Sequence, residues 1–268
     1  MKPIKKYLLF SLVILGSWWF YQGAIKTSEE GKKIKIVQEN PIKMAIFSDI
    51  HSDFRNLQKA LDIAKSDNID MLIIVGDLTT LGKESELNEV KEILDKSGFE
   101  YYVIPGNHDL WWDKKFKEDN FGKVFGRDYQ SFKKDNLKFI LINNGDVDLG
   151  LGKAQEKWFR EEVEECLQVY CLVFAHIPLN HPKSLYIMGA DNKIVASQAG
   201  ELIELLVKNK IRELFAGHLH LSSSYLLDGL QTTIVGAIAS ERNFQSPKFL
   251  EIEYQGGKLE KKEIFLPN

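Results

Sequence analysis

The chain has 268 residues, 44% hydrophobic and 27% charged, which is ordinary for a globular protein and enough to bury a full core, most simply as one large domain. A formal net charge of -3 supplies no global basic field, so no nucleic-acid partner is indicated. The two cysteines, Cys166 and Cys171, imply no disulfide framework, and the redox compartment is not read from them.

Residues 1–25 are a different material from the rest. Lys2, Lys5 and Lys6 precede an apolar run from Tyr7 to Ile25, about as long as the roughly 20 residues that cross a bilayer core. Trp18, Trp19, Phe20 and Tyr21 close it, as aromatic residues do at a membrane interface. Residues 7–25 therefore read as a single-pass membrane anchor. A cleaved signal peptide is the rival reading, but it wants a small residue where "YQGA" places Gln22. Lys26, Lys32, Lys33 and Lys35 nearly balance the lysines before the span, which weakens the positive-inside signal; the expected orientation places the following domain outside the cytoplasm. Residues 26–41 are a polar linker carrying a short "IKIV" that leads into a first or edge strand, and 42–268 form the folded domain.

From there the chain alternates. The apolar run at 43–49 precedes a helical pattern in which Phe54, Leu57, Leu61 and Ala64 share a face. The run at 71–77 precedes a helix carrying Leu87, Val90, Ile93 and Leu94, with Gly98 placed to end it. "YYVIPGNHD" follows at 101–109, then a less regular stretch at 110–128, and "LKFILINNGD" at 137–146. A helix near 154–167, the run "CLVFAH" at 171–176, a helix near 197–209 capped by Ser197, and "ELFAGHLH" at 213–220 complete the alternation. Strands alternating with helices predict an α/β fold with a largely parallel sheet. Beyond Tyr225, apolar runs separated by Asp228-Gly229, Ser246-Pro247 and Gly256-Gly257 predict antiparallel strands, as a second sheet or the far edge of the first.

Polar groups that suit metal ligation end these runs. Asp49 and His51 follow the first run, Asp77 ends the second, Asn107 and His108 follow the third, His176 ends a later one, and His218 and His220 follow the last. In an open α/β sheet, ligands bind outside the carboxyl ends of the strands, where these residues converge. With His108 set aside, the donors are carboxylate and amide oxygens and imidazole nitrogens without a thiolate. That is too many for one zinc ion and suits two divalent ions such as Mn, Fe, Zn or Ni. A shared carboxylate would hold them about 3.5–4 Å apart, the spacing that clamps the attacking and leaving oxygens of a phosphoryl displacement.

The ordered set "DIH", "GD", "GNHD", "H" and "GHLH" resembles the calcineurin-like metallophosphoesterase superfamily over residues 42–240, and its bacterial-type small-molecule branch in particular. The resemblance implies a four-layer α/β/β/α sandwich, two mixed sheets flanked by helices. It implies one metal on Asp49, His51, Asp77 and His220 and a second on Asp77, Asn107, His176 and His218, with Asp77 as the bridge. A hydroxide bridging the metals is then the nucleophile, and His108 donates a proton to the leaving oxygen or a hydrogen bond to the developing charge. Asp109 either orients His108 or caps a turn.

Departures from the family narrow the class. Protein phosphatases of the superfamily carry GDxxDRG and RGNHE, where this chain has "GDLTTLGK" and "PGNHD". The expected activity is therefore hydrolysis of a phosphodiester, on a nucleotide or lipid-linked substrate suited to an enzyme anchored beside a membrane. A phosphomonoesterase, protein phosphatases included, is the alternative; an inactive metal-binding scaffold would have lost a ligand, and every position is filled. Arg55, Lys123, Arg127 and His181 are candidate substrate contacts, although an isolated loop histidine before proline, as His181 is, is more often simply solvated. The aromatics and lysines of 110–128 either cover the site and meet an anionic substrate or pack on the core with their lysines in water.

Overall fold

Alternating apolar residues make each central strand two-faced. In β1 (Ile42–Phe47), Met44 and Ile46 join one buried cluster while Ala45 and Phe47 join another, as the two-residue period of a strand requires. The computed structural model describes residues 41–243 and 245–267. The expected anchor at 7–25 and the linker before Pro41 lie outside the described residues, among which no helix is long and apolar enough to cross a membrane.

β1 sits at the centre of a five-stranded sheet. It runs parallel to β2 (Met71–Val75), which runs parallel to β3 (Glu100–Ile104). A second sheet has six strands. Its parallel centre contains β5 (Leu137–Leu141), β6 (Tyr170–Phe174) and β7 (Glu213–Ala216), with β4 (Gln130–Lys134) antiparallel at one edge. The tail does not form one unit as the sequence suggested. β8 (Ser223–Leu227) and β9 (Leu230–Ile234) extend the second sheet, whereas β10 (Lys248–Gln255) and β11 (Lys258–Phe265) extend the first beside β1. Burial explains the split: β10 buries Phe249, Leu250, Ile252 and Tyr254, while the lysines and glutamates of β11 suit a sheet edge.

Met44, Ile73, Phe139, Phe174, Phe215 and Ile252 belong to the core between the sheets. The outer face of the first sheet is covered by α1 (Phe54–Ser66) and α2 (Glu84–Ser97), that of the second by α5 (Lys153–Glu164) and α6 (Lys193–Lys208). Two mixed sheets flanked by helices are the expected architecture. The less regular stretch holds two short helices, α3 (Trp111–Phe116) and α4 (Asn120–Phe125), and Phe121 anchors it in the core. Gly98 ends α2 in the left-handed region at φ 80°, as its position predicts. The cap of α6 is not Ser197: the helix begins earlier, where Asn192 accepts hydrogen bonds from the backbone of Ile194 and Val195.

The cysteines also depart from expectation. A 3-10 turn at Glu165–Leu167 folds the end of α5 back toward β6, bringing the Cα atoms of Cys166 and Cys171 within 5.5 Å, and the two form a disulfide. Their placement on two different elements hid the pair.

Candidate metal centre

The loops after β1, β2, β3, β6 and β7 meet at one edge of the sandwich and bring together all the ligands expected from the sequence. Several bend sharply. Asp49, His51, Asp77, His218 and His220 all have positive φ, between 47° and 70°, a conformation that non-glycine residues seldom adopt and that concentrates at functional sites. The glycines beside them are required by close approach. A Cβ on Gly106 would stand 2.2 Å from Asp77 Oδ1, and one on Gly217 would stand 1.8 Å from Ser48 Oγ. The motifs "GN" and "GH" are thus packing constraints as well as signatures.

Each aspartate divides its labour. Oδ2 of Asp49 accepts from Ser48 Oγ at 2.6 Å and from the His218 backbone at 3.0 Å, while its buried Oδ1 has no hydrogen-bond partner. Oδ1 of Asp77 accepts from the His108 backbone at 2.8 Å, leaving Oδ2 facing His176 Nε2 at 3.3 Å and His51 Nε2 at 3.6 Å. One oxygen of each fixes the loop; the other is free for a ligand.

The histidines show the same division. His176 Nδ1 donates to the Val75 carbonyl at 2.8 Å, which turns Nε2 toward Asp77 Oδ2 and, at 3.1 Å, the amide oxygen of Asn107. His220 Nδ1 donates to the Arg242 carbonyl at 3.1 Å, and its Nε2 lies 2.9 Å from His51 Nε2 and 3.3 Å from Asp49 Oδ1. Backbone carbonyls that fix the outer nitrogen of a histidine are the usual support of a metal ligand. Facing acceptors at these distances call for a positive charge between them. Burial pulls His51 down to about 4 and, with the charge of His176, pulls His218 to about 4, so both offer lone pairs at neutrality. Burial opposes protonation of His176 too, but the Asp77 carboxylate outweighs it and raises that pKa to about 9.

Two donor groups result: Asp49, His51, Asp77 and His220 in one, and Asp77, His176 and His218 in the other, each with ligand atoms within 4.8 Å of one another. Asp77 belongs to both. Oxygen and imidazole donors with no sulfur fit divalent metal ions. Asn107 adjoins the second group through His176. One supporting residue escaped the sequence reading: buried Asn144 accepts from the backbone of His176 and Ile177 at 3.0 Å and donates to the Ile177 carbonyl, fixing that loop. Its only sequence signal was "NNG" after an apolar run, which reads as an ordinary turn.

His108 lies beside these groups, its ring 4.7 Å from that of His51. Its orientation does not come from Asp109. His108 Nδ1 donates to the Thr80 carbonyl at 2.8 Å, whereas Asp109 is buried and accepts from Leu78 and Gly106 backbone N–H groups and from the backbone and hydroxyl of Thr79. Asp109 ties two site loops together. Burial and the nearby Asp77 charge push its pKa up to about 6 against those donors.

A cavity of about 900 Å³ opens over Asp77, Asn107, His108, His218 and His220, and His181 lines its outer wall. The cations lining it are Lys183 and Arg242. Arg55 is an exposed residue of α1 outside this lining, Lys123 pairs with Glu84 at 3.7 Å, and Arg127 lines a separate cavity beside Trp158. Trp111 lines a neighbouring groove with Asn107, Lys114 and Lys115. The aromatic stretch divides: Phe121 packs on the core, while Trp111 lines a groove that Asn107 also borders.

A four-layer α/β sandwich with a carboxylate- and histidine-rich centre at its strand ends defines a metal-dependent phosphoesterase. Residues 42–222 match the calcineurin-like phosphoesterase family, to which the chain belongs; it is a hydrolase of phosphate esters. A probable cyclic nucleotide phosphodiesterase of Vesicomyosocius okutanii is 24% identical over 70% of this chain and 76% of its own. The mouse serine/threonine-protein phosphatase CPPED1 is 26% identical over 52% of this chain and 47% of its own. The fold resembles that of GAP50, the anchor in the inner membrane complex of Plasmodium, with a TM-score of 0.62, 10% identity and 85% of each chain covered.

Proposed function

We propose that the domain hydrolyses a phosphodiester at a dinuclear metal centre held by Asp49, His51, Asp77, Asn107, His176, His218 and His220. The observation that carries this is the membership of Asp77 in both donor groups. Two divalent ions such as Mn, Fe, Zn or Ni, once bound, polarise the phosphoryl oxygens and activate water for in-line attack. The chain's own groups do the rest. Asp49 and Asp77 set the charge, and carbonyls of Val75 and Arg242 aim His176 and His220. The Thr80 carbonyl holds the Nδ1 proton of His108, leaving Nε2 to carry a second proton to the departing oxygen.

Two features favour a diester. Thr80 and Leu81 stand where the protein phosphatases carry Asp and Arg, and the V. okutanii relative is named for diester cleavage. The resemblance to CPPED1 keeps a monoesterase as the second reading. With manganese-loaded protein, bis(p-nitrophenyl) phosphate is expected to be cleaved at least about tenfold more efficiently than p-nitrophenyl phosphate. A reversed ratio would make the monoesterase the better reading.

The placement of the domain outside the cytoplasm, anchored through residues 7–25, belongs to the same proposal. The Cys166–Cys171 disulfide supports it, because such bonds persist in oxidising compartments and are rare in the cytosol. In protein alkylated inside intact cells before extraction, both cysteines are expected to be resistant until a reductant is added. Alkylation of both without reductant would count against this placement.

A further inference from the structure

The outer half of the cavity is built more carefully than an open rim. His181 Nδ1 accepts the backbone N–H groups of Ser184 at 2.7 Å and Lys183 at 3.1 Å. An imidazole that accepts at Nδ1 carries its proton on Nε2, and here that nitrogen lies 3.4 Å from Ser223 Oγ in the cavity wall. The His181 ring stands edge-on to Tyr225, 5.0 Å away, and Tyr225 donates its hydroxyl proton to the Asn180 carbonyl. The loop that carries Lys183 is thus held from both sides. On the other wall, Arg242 has φ 54° and gives its carbonyl to His220, while Asn243 beside it donates to the carbonyls of Ala237 and Ala239. That backbone is fixed to the metal centre itself.

Among the described residues, the side chains of Lys183 and Arg242 have no ion pair or hydrogen bond, although both line the cavity. In the neighbouring groove, by contrast, Lys114 binds Asp146 and Asp148, and Lys115 lies over the Trp111 ring. A diester carries one negative charge, and two divalent ions set against Asp49 and Asp77 already offset it. Lys183 and Arg242 are therefore surplus to the scissile phosphate. We infer that they recognise a second anionic group on the substrate's organic arm, with the Nε2–H of His181 as an adjoining donor. This rests on the diesterase reading and specifies its substrate class: a phosphodiester whose arm is itself acidic.

A matched pair tests it on the full-length, metal-loaded protein: thymidine 5′-(p-nitrophenyl phosphate) and the same compound with a 3′-phosphate. Scissile bond and leaving group are identical. Charge-assisted contacts to the added phosphate are expected to raise kcat/KM about tenfold, chiefly through KM. Calorimetry should likewise show thymidine 3′,5′-bisphosphate binding about tenfold tighter than thymidine 5′-phosphate. Lys183→Gln combined with Arg242→Gln should bring both ratios to within about twofold of unity. Equal binding of the two nucleotides by the natural protein, or a preference that survives the double substitution, overturns the inference whether or not either ester is cleaved. Tight binding of the bisphosphate without cleavage of either ester would instead uphold the subsite and sink the diesterase reading.

Discussion

Asp77→Asn is expected to abolish metal loading at both positions and to lower kcat/KM by three or more orders of magnitude. The reason is geometric. Asp77 Oδ1 is committed to the His108 backbone, so Oδ2, which faces a histidine of each donor group, is the oxygen left for both, and an amide in its place offers an N–H₂ group where an anionic oxygen is needed. Losing the charge stabilisation of two ions forfeits several kcal/mol in the transition state, and about 4 kcal/mol already corresponds to roughly a thousandfold. Metal content measured by mass spectrometry decides the matter together with the rate; a variant that binds two ions and keeps its rate would displace Asp77 from the bridge. A pH dependence accompanies this. Asp77 raises His176 to about 9, so below that pH a metal must displace a proton, and affinity should climb as pH rises from neutrality toward it. Without the Asp77 charge, buried His176 loses the partner that held its proton. In the natural protein that proton is present, and calorimetry in buffers of different ionisation enthalpy should show its release as metal binds.

The donor residues of the candidate centre were legible because each is a side chain whose chemistry is unusual at the end of an apolar run, and because the strand pattern says where such ends converge. Helix α2 and its Gly98 stop were legible for a similar reason, the signal being local. What stayed hidden depends on atoms that carry no side-chain signature or on neighbours distant in the chain. The Thr80 carbonyl orients His108, a role any residue's backbone can fill, so adjacency favoured Asp109 instead. Asn144 resembles a turn residue until His176 is seen folding back on it. Arg55 stands just after the first motif, and Lys123 and Arg127 in the aromatic and lysine-rich stretch, yet Lys183 and Arg242 are the cations that reach the cavity, on the loops after β6 and β9. The division of the tail between two sheets was equally invisible, since strand periodicity states which faces are buried but not which sheet buries them.

His108→Ala should leave both metals in place, because His108 belongs to neither donor group, while kcat for an alkyl phosphodiester falls by about a hundred- to ten-thousandfold. The leaving group decides what that loss means. An alkoxide is a strong base and must be protonated as it departs, whereas p-nitrophenolate is stable without a proton. If His108 delivers the proton, the variant should retain far more of its rate on bis(p-nitrophenyl) phosphate than on an alkyl diester. If it only donates a hydrogen bond to charge on the phosphoryl oxygens, both substrates should suffer alike, since that charge develops whichever group leaves. The structure favours the first outcome. Thr80 occupies Nδ1 and leaves one nitrogen on the cavity side, in the place where a departing oxygen meets a donor outside the metal cage. Equal losses on the two esters would reassign His108 to charge stabilisation and leave proton delivery to water.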